Sequence, residues 1–293
     1  MRSYAERLRE RIAKFKTPLC VGIDPDFGAL AKNFADGIQV GGAVSFIGEF
    51  SRRLIKAATG QCSSVKFQMA FFEEWGSHGI ALLETLIKEA KAAGLLVILD
   101  AKRGDIANTM QAYTNAAFKN FEADALTITP YMGVTVLDPC ANWLKAGRAV
   151  YVVWVTSNPD GAELQELVVT NAKTSTKWTF AEELLDQIAT WQKKHDNLDI
   201  GLVLGATKVG QLPAALLGRL ENYDLLMPGF GAQGAMLVPQ TGKLLKDART
   251  ALLPVSRQLY QAPHGAKFED WNEFEKHASS VMKQLNSQFA AGL

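Results

Sequence analysis

The chain has 293 residues, 48% hydrophobic and 21% charged, and its 31 Lys and Arg against 30 Asp and Glu leave a formal charge of +1. So even a balance supplies no surplus of positive charge, which sets aside nucleic acid or an anionic membrane as the main partner. No apolar run approaches the roughly 18 residues of a membrane-crossing helix, and the charged stretch from Arg2 to Arg11 has no signal-peptide core, which predicts a cytoplasmic protein.

In chain order, short β-branched or apolar runs recur at Leu19 to Ile23, Val65 to Met69, Leu95 to Leu99, Ala125 to Thr129, Val150 to Val155, Ile200 to Leu204, Asp224 to Met227 and Thr250 to Val255. Between them lie segments of helical period. Gly79 to Ala93 puts Leu82, Leu83, Leu86, Ile87 and Ala90 on one face, and Phe180 to His195 does the same with Leu184, Leu185, Ile188 and Trp191. Strand alternating with helix predicts a parallel sheet. Eight such units without an intervening linker favour closure into a (β/α)8 TIM barrel over an open doubly wound sheet. The prediction is a single domain over residues 1–293, with a helical extension at about 1–17. Long loops over the barrel mouth are expected at about 27–42 and 159–177.

Nearly every run ends in polar or turn-forming residues, such as Asp24-Pro25-Asp26, Asp100-Ala101-Lys102 and Thr156-Ser157-Asn158-Pro159. In a barrel those ends converge on one face, where active sites are built. The third run delivers Asp100 and Lys102 two residues apart, hence on one side of a strand. Asp105 follows a turn at Arg103-Gly104 and is placed as the N-cap of the next helix. A lysine among carboxylates stays an ammonium and is a proton donor. Lys66, inside an apolar run, needs an anionic partner, which Asp24 or Asp100 would supply. A solvated loop cluster of ion pairs is the competing reading of these charges.

The segment Gly229-Phe230-Gly231-Ala232-Gln233-Gly234 fits GxGxxG, yet it follows the seventh strand, so a dinucleotide fold is not implied. Its glycines allow close backbone approach to an anion, and the eighth strand ends in Ser256-Arg257, where loops of barrels often hold phosphate. Arg257 can grip two phosphate oxygens. Gly205 to Gly210 lacks the Lys-Ser/Thr pair of a P-loop, which sets aside ATP. The cysteines Cys20, Cys62 and Cys140 are widely spaced and read as buried fillers. The four histidines form no metal-ligand pattern, so no metal is predicted.

Taken together, the strand-three DxKxxD array, the GxGAQG loop and the late Ser-Arg pair resemble orotidine 5′-phosphate decarboxylases. The resemblance runs from about Leu19 to Tyr260. It is nearer the longer-chain branch, because Gly22 to Asp26, Lys66 to Glu73, Thr129 to Gly133 and Thr156 to Pro159 occur in order at successive strand ends. It implies conversion of orotidine 5′-phosphate to UMP and carbon dioxide without a cofactor, with Lys102 protonating C6 of the pyrimidine and Asp100 and Asp105 beside the departing carboxylate. Lys66 and Asp24 would bind ribose hydroxyls, with Lys66 also holding Asp100, and Ser157 would contact the base. Gln233, Arg257 and the amides around Gly231 and Gly234 would hold the phosphate. In the family the last aspartate and a threonine four residues on, here Asp105 and Thr109, come from the other subunit of a homodimer. At i and i+4 they are expected to share a helix face. A Mg²⁺-dependent 3-keto-L-gulonate 6-phosphate decarboxylase, which shares the array, is the alternative enzyme. A non-catalytic sensor of a phosphorylated ligand is the alternative outside catalysis.

Overall fold

The apolar runs pair into one sheet in the computed structural model, which describes residues 2–36, 41–170, 175–230 and 239–292. Its strands are β1 (Leu19–Ile23), β2 (Ser64–Gln68), β3 (Leu96–Arg103), β4 (Ala125–Ile128), β5 (Ala149–Val155), β8 (Gly201–Leu204), β9 (Asp224–Leu226) and β10 (Thr250–Val255). Each lies parallel to its predecessor, and β10 pairs with β1 to close the barrel. The eight predicted runs match these strands to within a few residues, and the predicted barrel is the observed one. Helices Gly76–Ala92 and Phe180–Lys194 form where their period requires, each burying one face against the sheet.

Alternation along the strands builds the site. On β3, Val97 and Leu99 pack outward with the surrounding helices, while Leu96 and Ile98 join Cys20, Ala125, Tyr151, Val203, Leu226 and Leu252 in a separate apolar layer inside the cylinder. Two further residues along the same inward row stands Asp100. On β2 the same period carries Lys66 and then Gln68 inward, with Val65 and Phe67 outside. A largely apolar layer thus fills the middle of the barrel beneath a charged upper rim, with Asp224 and Thr250 hydrogen-bonded to one another at the lower end. Cys20, Cys62 and Cys140 are all buried and unpaired, as expected of fillers.

The helix Tyr4–Phe15 closes the lower end. A complete capping box between Ser3 and Glu6 starts it. Tyr4 and Leu8 enter the inner apolar layer, the Tyr4 and Tyr151 hydroxyls lie 3.3 Å apart, and Arg7 pairs with Asp124 at 2.7 Å.

Two long connections are more ordered than loops. The described part of the first, after β1, forms a helix at Phe27–Leu30 and a 3-10 turn at Ala31–Asn33. It is then pinned by Phe34, fully buried among Phe46, Phe268, Trp271 and Phe274. The second holds a helix at Gly161–Gln165 and an antiparallel pair, β6 (Val168–Thr170) with β7 (Lys177–Thr179).

Candidate active site

The rim charges meet at one carboxylate. Asp100 Oδ1 lies 2.6 Å from Lys102 Nζ and accepts the Thr127 hydroxyl at 2.9 Å. Asp100 Oδ2 lies 3.1 Å from Lys66 Nζ and 3.4 Å from Gln68 Nε2. Four donors occupy the four lone-pair positions of an ionised carboxylate. Lys66 in turn reaches Asp24 Oδ1 at 3.2 Å, so the chain runs Asp24, Lys66, Asp100, Lys102. The anionic partner that Lys66 requires is therefore supplied by both Asp24 and Asp100 in direct contact, and a dispersed, solvated cluster is ruled out for the buried members, Lys66 and Asp100.

Burial by itself would push the Asp100 carboxyl upward. The Lys66 and Lys102 ammonium groups outweigh it and hold the acid at about 2. Burial likewise disfavours the Lys66 charge, yet Asp24 and Asp100 overcompensate and hold its ammonium above the ordinary lysine range. Both groups are ionised at neutral pH.

Lys102 projects from an irregular strand end. Its φ is 46°, in the left-handed region that non-glycine residues seldom occupy. The β3–β4 pairing passes from Leu99–Leu126 to Arg103–Ile128, so β3 takes four residue steps where β4 takes two. The surplus chain bulges at the mouth. Gly104 follows because no side chain fits there: a Cβ would lie 2.5 Å from the Thr129 carbonyl oxygen.

Asp24, Lys66, Asp100, Lys102, Ser157 and Arg257 line a single cavity of about 310 Å³ at the mouth, a volume suited to a small ligand. Arg257 is exposed and has no carboxylate partner among the described residues. Ser157 is held by close backbone contact. Gly205 at the end of β8 abuts it so tightly that a Cβ there would come within 2.6 Å of Ser157 N. Gln165 fixes the preceding residue by accepting from Thr156 N at 3.0 Å and donating to Thr156 Oγ1 at 2.9 Å.

Two expectations fail on the segment after β3. Asp105 is not an N-cap: the helix is Ala107–Asn115, Ile106 takes the cap position, and Asp105 Oδ1 instead accepts the Ile106 N–H at 2.7 Å. Because Ile106 is extended and Ala107 has φ 40°, Asp105 and Thr109 are not i and i+4 on a continuous helix. Neither lines the cavity formed by this chain. Gly231, Gln233 and Gly234 lie outside the described residues. Among the described residues no three His, Cys, Asp or Glu side chains gather as a metal-ligand set.

Thr127 and Gln68, neither of them among the expected site residues, both hold Asp100. Gln68 carried a readable signal, a polar residue two positions beyond Lys66 on the inward row. Thr127 showed only as a hydroxyl in an otherwise apolar strand.

Comparison with known proteins places this geometry. Residues 17–268 match the family described as Orotidine 5'-phosphate decarboxylase / HUMPS family. An orotidine 5'-phosphate decarboxylase of Salinispora arenicola (strain CNS-205) is 39% identical over 240 residues, 80% of this chain and 81% of that protein. One from Herpetosiphon aurantiacus is 32% identical over 284 residues, 96% of this chain and 98% of the other. The structure of Leishmania donovani OMP decarboxylase superposes with a TM-score of 0.70 at 30% identity, covering 97% of this chain and 98% of that one. The match spans most of the chain and the relatives are aligned over most of their own length, so the chain belongs to the orotidine 5′-phosphate decarboxylase / HUMPS family.

Proposed function

We propose that the protein converts orotidine 5′-phosphate to UMP and carbon dioxide in pyrimidine biosynthesis, and that Lys102 supplies the proton. The observation that carries this reading is the contact chain from Lys66 through Asp100 to Lys102, set at the rim of the cavity. As the bond from C6 to the carboxylate breaks, its electron pair stays on C6. A fixed ammonium beside that carbon stabilises the developing charge without reorganisation, then transfers a proton to it; solvent reprotonates the lysine. Asp100, 2.6 Å from the Lys102 ammonium, aims it. Lys66 and Asp24 are assigned to the ribose hydroxyls and Ser157 to the base. Arg257, with Gln233 and the backbone of Gly231 and Gly234, is assigned to the phosphate. Binding energy from that remote phosphate can be spent on orienting the reacting ring.

The enzyme is proposed to need no metal or cofactor, and to work in the cytoplasm as a homodimer in which Asp105 and Thr109 serve the neighbouring site. Both residues sit beside exposed apolar surface: Ile106 and Met132 are more than half exposed, and Tyr131 is 78% exposed. The contact of Gly104 with Thr129 brings the two segments together. Such a patch is the type that a second subunit covers. No helix among the described residues is long and apolar enough to cross a membrane. Residues 1–293 are taken as one barrel domain, a reading supported by the N-terminal helix that floors the cylinder.

The test is loss of orotidine 5′-phosphate absorbance with chelator-treated protein. Turnover that survives EDTA and vanishes in Lys102→Ala is the expected result. Activity restored only by Mg²⁺ would favour the sugar-phosphate decarboxylase reading, and no turnover by folded protein would refute the proposal.

A further inference from the structure

The bulge that projects Lys102 leaves a bonding problem. Opposite the surplus residues of β3, the strand ladder offers no regular carbonyl for the Lys102 N–H, which sits in a part-buried site where an unmade backbone bond is costly. The structure answers with a side chain. Lys102 N–H donates to Thr127 Oγ1 at 2.9 Å, and Thr127 Oγ1 donates to Asp100 Oδ1 at 2.9 Å. That oxygen is the one 2.6 Å from Lys102 Nζ. The contacts close a ring from the lysine backbone through the threonine hydroxyl and the carboxylate to the lysine ammonium.

The direction of every bond in the ring is forced. A backbone N–H only donates and an ionised carboxylate only accepts, so the hydroxyl proton must point to Asp100 and a lone pair to Lys102. Thr127 is 1% exposed on β4 and does not line the cavity. Its β-branched side chain, held within a paired strand, has little rotamer freedom. A rigid strand thereby fixes two things that the strained bulge would otherwise leave loose: the backbone of Lys102 and the carboxylate that aims its ammonium.

We propose that Thr127 is a positioning residue for the decarboxylation, acting through Lys102 and Asp100 without touching substrate. This rests on the function proposed above. It predicts a kinetic signature distinct from that of a binding residue, because the cavity wall is unchanged when the hydroxyl is removed.

The experiment compares Thr127→Val, which keeps the shape and deletes the hydroxyl, with Thr127→Ser, which keeps the hydroxyl. Wild type is assayed first, and failure to turn over orotidine 5′-phosphate would overturn the functional reading and this inference with it. With active wild type, Thr127→Val is expected to lower kcat by about ten- to a hundred-fold, the scale for losing an outer partner that orients a functional group, with KM changed less than about three-fold. Thr127→Ser should recover most of kcat. A Thr127→Val protein with wild-type kcat, or a serine variant as impaired as the valine one, would overturn the inference and leave the function standing. If the valine variant does not fold, Thr127→Ala takes its place against Thr127→Ser, and equal kcat in those two overturns the inference.

Discussion

Lys66 Nζ stands 3.1 Å from Asp100 Oδ2 across the β2–β3 ladder, although Lys66 is in register with Ile98 and it is Gln68 that faces Asp100. The lysine leans one inward position up the barrel to reach its partner. Removal of Asp100 leaves it with Asp24 alone and leaves two ammonium groups sharing a partly buried site. Asp100→Ala is therefore expected to destabilise the fold by about 3 kcal/mol, the scale for breaking a buried pair from one side, measured as a lowered urea midpoint with an unchanged slope. It should also abolish turnover, because Lys102 loses the group that aims it. An unchanged midpoint would show that Lys66 finds compensation elsewhere.

The same carboxylate sets an acid limit. Its pKa lies at about 2 in the folded chain against an ordinary 3.8. A depressed folded value means that the stabilisation is present above pH 4 and is lost as pH falls through 4 towards 2, by about 2 kcal/mol. Thermal unfolding followed between pH 5 and pH 2 should show this slope in wild type and a flatter one in Asp100→Asn. Parallel slopes in the two proteins would contradict the assignment.

Arg257 has no carboxylate partner among the described residues, so its loss should weaken substrate binding without leaving a charge orphaned. Arg257→Ala is expected to raise KM for orotidine 5′-phosphate by about 2–3 kcal/mol, the worth of a charge-assisted contact, or about thirty- to a hundred-and-fifty-fold. Orotidine lacking the phosphate should be affected little, and an equal effect on both compounds would remove Arg257 from the phosphate site.

Gly205 has ordinary backbone angles but no room beside Ser157. A methyl group there would also lie 2.8 Å from Ser157 Cα. Gly205→Ala should displace the end of β5, lowering kcat/KM by about ten-fold or more, with KM affected if Ser157 meets the base. Wild-type kinetics in this variant would show that the Ser157 segment is free to shift.

If Asp105 serves the neighbouring subunit, two inactive variants should rescue one another. Mixing Lys102→Ala with Asp105→Ala after dissociation places one intact site in each mixed dimer, which gives about a quarter of wild-type turnover at random assembly with two-fold symmetry. No recovery, despite subunit exchange seen with tagged chains, would place Asp105 in its own chain's site or outside the reaction.

Much of the barrel was legible because its strands are short β-branched runs closed by turn residues, a pattern that burial on both faces imposes. The apolar run of β3 ends at Leu99, whereas the strand continues to Arg103. Its charges interrupt the apolar signal but not the backbone pairing. The pair β6 and β7 was hidden for the opposite reason: its residues are exposed or half-buried, so nothing distinguished it from a polar loop. The lysines and aspartates of the site were legible through their cost, since a charge inside an apolar strand demands a partner. Asp105 does not cap the helix because Ala107 takes a left-handed conformation that no residue type there announces. Thr127 stayed silent because threonine is an ordinary strand former, and only coordinates show which two groups its hydroxyl joins.

The floor of the cylinder implies an order of assembly. Tyr4 and Leu8 belong to the same apolar layer as Leu226 and Leu252, more than two hundred residues away in sequence. Their seat is complete only once the last strand has joined the first. Until then the N-terminal helix has nowhere finished to dock, and its contacts are among the most distant in sequence that the chain makes. The helix that floors the cylinder is thus positioned to be a late piece locked in place, and shortening it should slow the final step of folding more than it disturbs the mouth at the other end.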